Sequence, residues 1–133
     1  MSDLVERMYE ACDGKINTFS VPADSWGDDG SDYGLLMTPS SGKRFVIFGI
    51  NLAPSGIAAA NVTRIIFGDA TGGAEPTGKW ILCWGQTYQT AGNSVPAYVE
   101  FTAPLVGGVN EGIYGLVGAG GEPSFCVIKY GEI

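Results

Sequence analysis

The segment Gly73-Ala74-Glu75-Pro76-Thr77-Gly78-Lys79 spells the first seven positions of a phosphate-binding loop. Such a loop needs a Ser or Thr next, to reach Mg²⁺, followed by a helix whose N-terminus faces the phosphates. Trp80 stands there instead, and Trp80-Ile81-Leu82-Cys83-Trp84 has the composition of a strand. A hairpin connection is therefore expected, without a nucleotide cofactor. Asp24, Asp28, Asp29 and Asp32, with Gly27 and Gly30, offer hard oxygen ligands of the kind Ca²⁺ takes. Their order is not that of the Asp-x-Asp-x-Asp-Gly loop with its distant Glu, so a solvated acidic linker is expected and no metal site.

Glu75, Glu100, Glu111 and Glu122 could in principle supply the paired carboxylates of glycoside hydrolysis. Only Glu100 falls inside an expected strand, and no local motif ties it to a second acid. Trp26, Trp80, Trp84 and the six Tyr could form a sugar-stacking platform, but Trp80, Leu82 and Trp84 alternate as one strand face, which fits a core or an interface. Asn61-Val62-Thr63 has the glycosylation spelling and reads as the start of a strand. The chain has no histidine, which removes the commonest general base, the Ser-His and Cys-His pairs, and most zinc and copper sites. Cys12, Cys83 and Cys126 are odd in number, widely spaced and in no C-x-x-C pair. They read as reduced, mostly buried thiols rather than a disulfide framework. No catalytic residue, cofactor or metal follows from these patterns, and the chain is expected not to be an enzyme.

Charge narrows the partners. Seven Lys and Arg face 14 Asp and Glu, a net of −7, and no basic cluster is longer than Lys43-Arg44. Nucleic acid and anionic membranes are therefore not expected partners. No stretch reaches 18 consecutive apolar residues, and Met1 to Glu6 lacks a basic start and apolar centre, so synthesis as a soluble cytoplasmic protein is expected. Residues 1–32 hold eight acids and two bases, a net of −6, whereas residues 33–133 hold six acids and five bases, a net of −1. The sequence thus divides into an acidic N-terminal arm, 1–32, and a nearly neutral body, 33–133.

These groups need elements to hold them. At 133 residues, about two-thirds of the unfolded surface can be buried, which supports one domain with a real core. Ser2 can cap a short helix over 3–12, with Asp3 and Glu6 near its positive end, Leu4, Met8, Ala11 and Cys12 along one stripe, and Gly14 at its stop. So short a helix must dock on its own domain or on another subunit. Asn17 to Asp32 reads as extended, irregular chain. From Tyr33 onward, short apolar runs alternate with turn residues, which predicts strands near 33–38, 44–52, 61–68, 79–88, 97–102, 112–118 and 124–131, with 104–109 as a possible eighth. In the last of these, Cys126, Ile128 and Tyr130 share the more buried face. Phe45-Val46-Ile47-Phe48 is apolar on both faces, as for a central strand or one covered by a neighbouring chain. The fold class is all-β: an antiparallel sandwich of about seven or eight strands, jelly-roll-like, preceded by an extended arm with a short helix.

Several segments of the body carry a resemblance. They are Ser41-Gly-Lys-Arg-Phe-Val-Ile-Phe-Gly-Ile50, the Ala/Gly/Ser turn at 53–60, Ile65-Ile-Phe-Gly-Asp69, Gly112-Ile-Tyr-Gly-Leu-Val-Gly-Ala-Gly-Gly121 and the final Tyr130-Gly-Glu-Ile133. Over residues 33–133 this grammar resembles the small β-sandwich structural proteins of tailed-bacteriophage virions, most of all capsid decoration (cement) proteins. The resemblance implies a subunit that forms homo-oligomers, frequently trimers, and binds the major capsid protein or another virion protein on the outer surface of the head. A head-fibre or tail-appendage module binding a receptor or carbohydrate is the alternative. The arm lies outside the resemblance. Its candidate partner contacts are Leu4, Met8, Tyr9, Phe19 and Trp26, with the acids Asp28, Asp29 and Asp32.

Overall fold

A computed structural model of the chain describes residues 3–27, 33–53, 61–68, 79–86, 97–117 and 125–133. In chain order the elements are helix α1 (Asp3–Ala11), β1 (Asn17–Ser20), a single 3-10 turn (Ala23–Ser25), β2 (Gly34–Met37), β3 (Phe45–Ala53), β4 (Asn61–Gly68), β5 (Trp80–Gln86), β6 (Ala97–Val106), β7 (Gly112–Val117) and β8 (Phe125–Glu132). Each strand of the first half pairs antiparallel with one of the second: β1 with β8, β2 with β7, β3 with β6 and β4 with β5. The chain is one long hairpin, and the added pairings β3–β8 and β4–β7 fold it into two four-stranded sheets, ordered β1-β8-β3-β6 and β2-β7-β4-β5. That is the order of a jelly roll. Between the sheets Ile47, Ile50 and Ile128 meet Ile65, Ile113 and Val117, all almost wholly buried. Cys126, Ile128 and Tyr130 face this core, as their alternation predicts.

Two strand boundaries differ from the sequence reading, for physical reasons. The run expected to end near 102 continues to Val106 and takes in Pro104. Ile47 pairs with Leu105 but Gly49 with Glu100, so residues 101–104 bulge opposite a single residue of β3. A bulge on an outermost strand is where a proline's missing N–H costs least. The eighth strand is then not 104–109 but β1, inside the segment expected to be irregular. Asn17-Thr18-Phe19-Ser20 turns one apolar residue, Phe19, towards the core, too little for a period of two to register.

The described part of the first 32 residues is stitched into the sandwich. β1 borders β8, Val21 N–H donates to the Cys126 carbonyl at 2.9 Å, and Trp26 is buried at 7% exposure in the main core. Gly27 forms a parallel bridge to Leu116, donating to Gly115 at 3.1 Å and accepting from Val117 at 2.9 Å.

Helix α1 ends in a Schellman arrangement. Gly14 N–H reaches the Tyr9 carbonyl and Asp13 N–H the Glu10 carbonyl, both at 2.9 Å, with Asp13 (φ 54°) and Gly14 (φ 67°) left-handed. The helix docks on the outer face of the β1-β8-β3-β6 sheet. The residues packed there are Val5, Met8, Tyr9 and Cys12, against Val46 and Phe48. The expected stripe is thus rotated, leaving Leu4 43% exposed and Ala11 exposed. A β-bulge makes the receiving surface. Phe48 is skipped in the pairing of β3 with both neighbours, so Phe45 and Ile47 face the core, Val46 and Phe48 face α1, and Ile50 and Leu52 face the core again. The doubly apolar run is therefore covered by the chain's own helix. Tyr9 stacks on Phe48 with centroids 4.6 Å apart and planes 7° apart. Cys12 settles over Gly131, where a Cβ would come within 2.5 Å of its Sγ.

Candidate functional site

The jelly-roll winding brings the starts of β3, β5 and β7 to one end of the sandwich, together with the ends of β4 and β6. The turn Gly107–Glu111 is clamped there. Gly107 N–H donates to the Phe45 carbonyl (3.0 Å), Asn110 N–H to the Lys43 carbonyl (2.8 Å) and Gly42 N–H to Asn110 Oδ1 (2.6 Å). Asn110 adopts φ 61°, a left-handed conformation that Asn tolerates better than most residues. Lys79, just before β5, is fixed by its carbonyl, which accepts Phe67 N–H at 3.0 Å.

Between these segments lies a cleft of about 410 Å³ whose apolar lining includes Phe67, Leu105 and Val106 and whose functional side chains are Arg44, Lys79, Trp80 and Glu111. Glu111 is 8% exposed. Its Oε1 accepts Gly108 N–H at 2.9 Å and its Oε2 forms an ion pair with Lys79 Nζ. That pairing compensates a carboxylate which burial would otherwise make costly. Arg44 is exposed, its backbone tied to Ile133 by two hydrogen bonds (2.8 and 3.0 Å). Trp80 is 39% exposed, and the Arg64 guanidinium carbon lies 5.9 Å from the centre of its ring, within cation–π range.

Trp80 escapes burial because of a second bulge. Ile65 pairs with Leu82 but Ile66 with Trp80, so Ile81 is an extra residue. Ile81 turns into the core and Leu82 packs against it. Trp80 and Leu82 therefore do not share a face, contrary to simple alternation. The side chain of Trp84 lies outside the described residues.

Four residues that the sequence associated with four different chemistries meet here. Lys79 ends the phosphate-loop spelling, Trp80 belongs to the aromatic set, Glu111 is one of the scattered carboxylates and Arg44 is half of the one basic pair. Glu111 is the cleft's carboxylate among the described residues, while Glu75 and Glu122 fall outside them. The arrangement can stack a flat or ring-shaped ligand on Trp80, bind an anion at Arg44 and accept hydrogen bonds at Glu111.

The candidate partner contacts of the N-terminal segment are distributed differently. Trp26 is in the core, Phe19 packs against it, and Met8 and Tyr9 hold α1 to its own sheet. Burial of their apolar surface within the chain is the favourable outcome for these side chains, and of the described candidates it leaves Leu4 exposed. Asp28, Asp29 and Asp32 lie outside the described residues.

No protein-family model matches the chain, and no curated protein sequence matches it.

Proposed function

We propose that the chain is a non-enzymatic structural subunit of a tailed-phage virion, decorating the outer surface of the head through contacts with the major capsid protein or another virion protein and with copies of itself, most simply as a trimer. The observation that supports this reading is a jelly roll that keeps large apolar side chains exposed on a body of almost no net charge. Leu35 (49%), Trp80 (39%), Tyr98 (68%), Val106 (42%) and Val109 (51%) are all exposed. Exposed apolar groups on a body of almost no net charge favour protein–protein contact. Within this reading the N-terminal segment contributes Leu4 and the solvent side of α1, since Met8, Tyr9, Phe19 and Trp26 are committed to the fold. Light scattering after size exclusion at micromolar concentration is expected to give a trimer mass, and purified heads lacking the protein are expected to bind it saturably. A monomer that fails to bind such heads overturns the proposal.

Trp80 favours a second reading, a head-fibre or tail-appendage module that binds a carbohydrate. Its ring is accessible at the edge of a cleft, and a glycan array tests whether any sugar is held.

A further inference from the structure

We infer that the cleft between the Gly107–Glu111 turn and the start of β5 binds an anionic pyranose, a sugar ring carrying a carboxylate, with Arg44 pairing the carboxylate, Trp80 stacking the ring and Glu111 accepting its hydroxyls. The inference deepens the appendage reading and rests on it for the ligand being a sugar.

The case for an anion is electrostatic. The protein carries −7 overall, yet three of the five bases in residues 33–133 gather at this end. Lys43 and Arg44 precede β3, and Lys79 precedes β5. In the cleft, Arg44 and Lys79 face one carboxylate, Glu111, whose charge Lys79 already answers. Of the cleft's two cations, Arg44 is therefore the one left without a carboxylate. A guanidinium is a planar fork of donors that matches a carboxylate bidentately, where an ammonium offers a point charge.

The case for a pyranose is one of shape and surface. The volume of about 410 Å³ lies in the range of small-molecule sites. The apolar C–H face of a sugar ring suits an exposed indole, and Arg64 beside Trp80 adds positive charge to that platform. Glu111 keeps acceptor lone pairs beyond its two present partners, which suits hydroxyl donors. The frame is set in advance by the backbone bonds of Gly107, Asn110 and Lys79, so little ordering opposes binding. The cleft is lined by no helix N-terminus for a phosphate, since the one described α-helix, α1, lies on the outer face of the β1-β8-β3-β6 sheet and gives the cleft no residue.

The test uses the full chain, labelled with ¹⁵N, and two probes that differ in the carboxylate: methyl β-D-glucuronide and methyl β-D-glucoside. The glucuronide is expected to shift the Trp80 indole N–H, assigned with Trp80→Phe, with a dissociation constant of about millimolar order. The glucoside is expected to bind about 10-fold or more weakly, the worth of one charge-assisted hydrogen bond. Arg44→Gln should equalise the two, and Arg44→Lys should restore part of the preference. If either variant misfolds, the wild type still decides: raising salt from about 20 mM to about 0.5 M should weaken the glucuronide several-fold and leave the glucoside unchanged. Equal binding of both probes overturns the anionic specificity and leaves the appendage reading standing. Array binding by the chain with no perturbation at Trp80 overturns this cleft as the site. No binding to any glycan, neutral or acidic, overturns both readings.

Discussion

Both sheets carry apolar side chains on the face turned away from the shared core, and they cover them differently. On the β1-β8-β3-β6 sheet, Val46 and Phe48 lie under α1, an element joined to the rest through the left-handed pair Asp13 and Gly14. On the β2-β7-β4-β5 sheet, Ile66 is covered among the described residues by side chains from the sheet itself and the residue before it: Tyr114, Leu116 and Tyr33. The Tyr114 ring lies over Gly68, where a Cβ would come within 2.8 Å of it. A cover made from the sheet's own residues can be removed only by disturbing the sheet. A cover made by a short helix is a separate layer, and its loss should leave the sandwich standing.

The largest expected effect breaks the integral side of this comparison. A Cβ on Gly34 would sit 1.9 Å from the Ser25 carbonyl oxygen and 2.8 Å from Gly27 N, both backbone atoms that cannot rotate away. Gly34→Ala must therefore push β2 from the segment that carries Trp26 and bridges to Leu116. Urea unfolding should show a loss of more than about 3 kcal/mol, or no folded protein at all. A loss within about 1 kcal/mol would show that this seam is not closed as described.

Phe48→Ala breaks the separable side. It removes the ring under Tyr9 and opens a cavity between helix and sheet, for an expected loss of about 3 kcal/mol. Tyr9→Ala should cost about 1–2 kcal/mol, since Tyr9 is half-buried and the aromatic pair is worth about 1 kcal/mol beyond its area. In the double variant the two losses should not add, because each removes the same stack. In all three the near-ultraviolet signal of the buried Trp26, assigned with Trp26→Phe, should persist. Its disappearance would mean that α1 and the sandwich fold as one.

The sequence makes one side of this comparison far more legible than the other. Alternation located seven of the eight strands, because residues such as Ile65, Phe67, Cys126 and Ile128 repeat with the pleat. It could not place the bulges at Phe48 and Ile81. An inserted residue leaves composition untouched while reversing the facing of everything beyond it. The Phe48 bulge accounts for a strand apolar on both faces, which α1 rather than a neighbouring subunit covers. The Ile81 bulge separates Trp80 from Leu82 and puts the indole beside the cleft. The cleft was legible residue by residue but not as a site, since Arg44, Lys79, Trp80 and Glu111 come from three connections that only the pairing of β3 with β6 and of β4 with β5 and β7 brings to one end.

Thiol chemistry sharpens the comparison further. Cys12 belongs to the layer under α1 and Cys126 to the shared core. Burial pushes the Cys126 thiol up to about 12, and the Cys12 thiol is also raised, by burial first and then by the charge of Asp13. Since the thiolate is the reactive form, both should resist alkylation in the intact fold. Mass-spectrometric mapping is expected to show Cys12 modified several-fold faster, through local opening of α1, and Cys126 only at the rate of global unfolding. Equal rates would make the helix as integral as the sheets.

The smallest effect concerns the contact that ties the two layers electrostatically. Lys129, on the outer face of β8, has its ammonium 5.6 Å from the centre of the Tyr9 ring and 3.4 Å from Glu100 Oε1. Hydrogen bonding to Tyr9, and then the Glu100 contact, hold its pKa above the usual 10.5 against a lowering by burial. The folded value thus lies above the unfolded one, so the stabilisation is fully present below about pH 10.5 and is lost as pH rises through the folded value. Solvent screening of so exposed a group keeps the effect to about 0.5 kcal/mol or less. Cys126 acts in an overlapping window with the same sign, its raised pKa eroding stability between pH 9 and about 12. The wild-type curve alone therefore cannot isolate the lysine. Lys129→Met shares the cysteine and lacks the ammonium, so the difference in denaturation midpoint between the two proteins should be steady up to about pH 10 and shrink above it. A difference that stays constant to pH 12 would remove Lys129 from the attachment of α1 and leave that attachment to the Tyr9–Phe48 stack and its apolar surroundings.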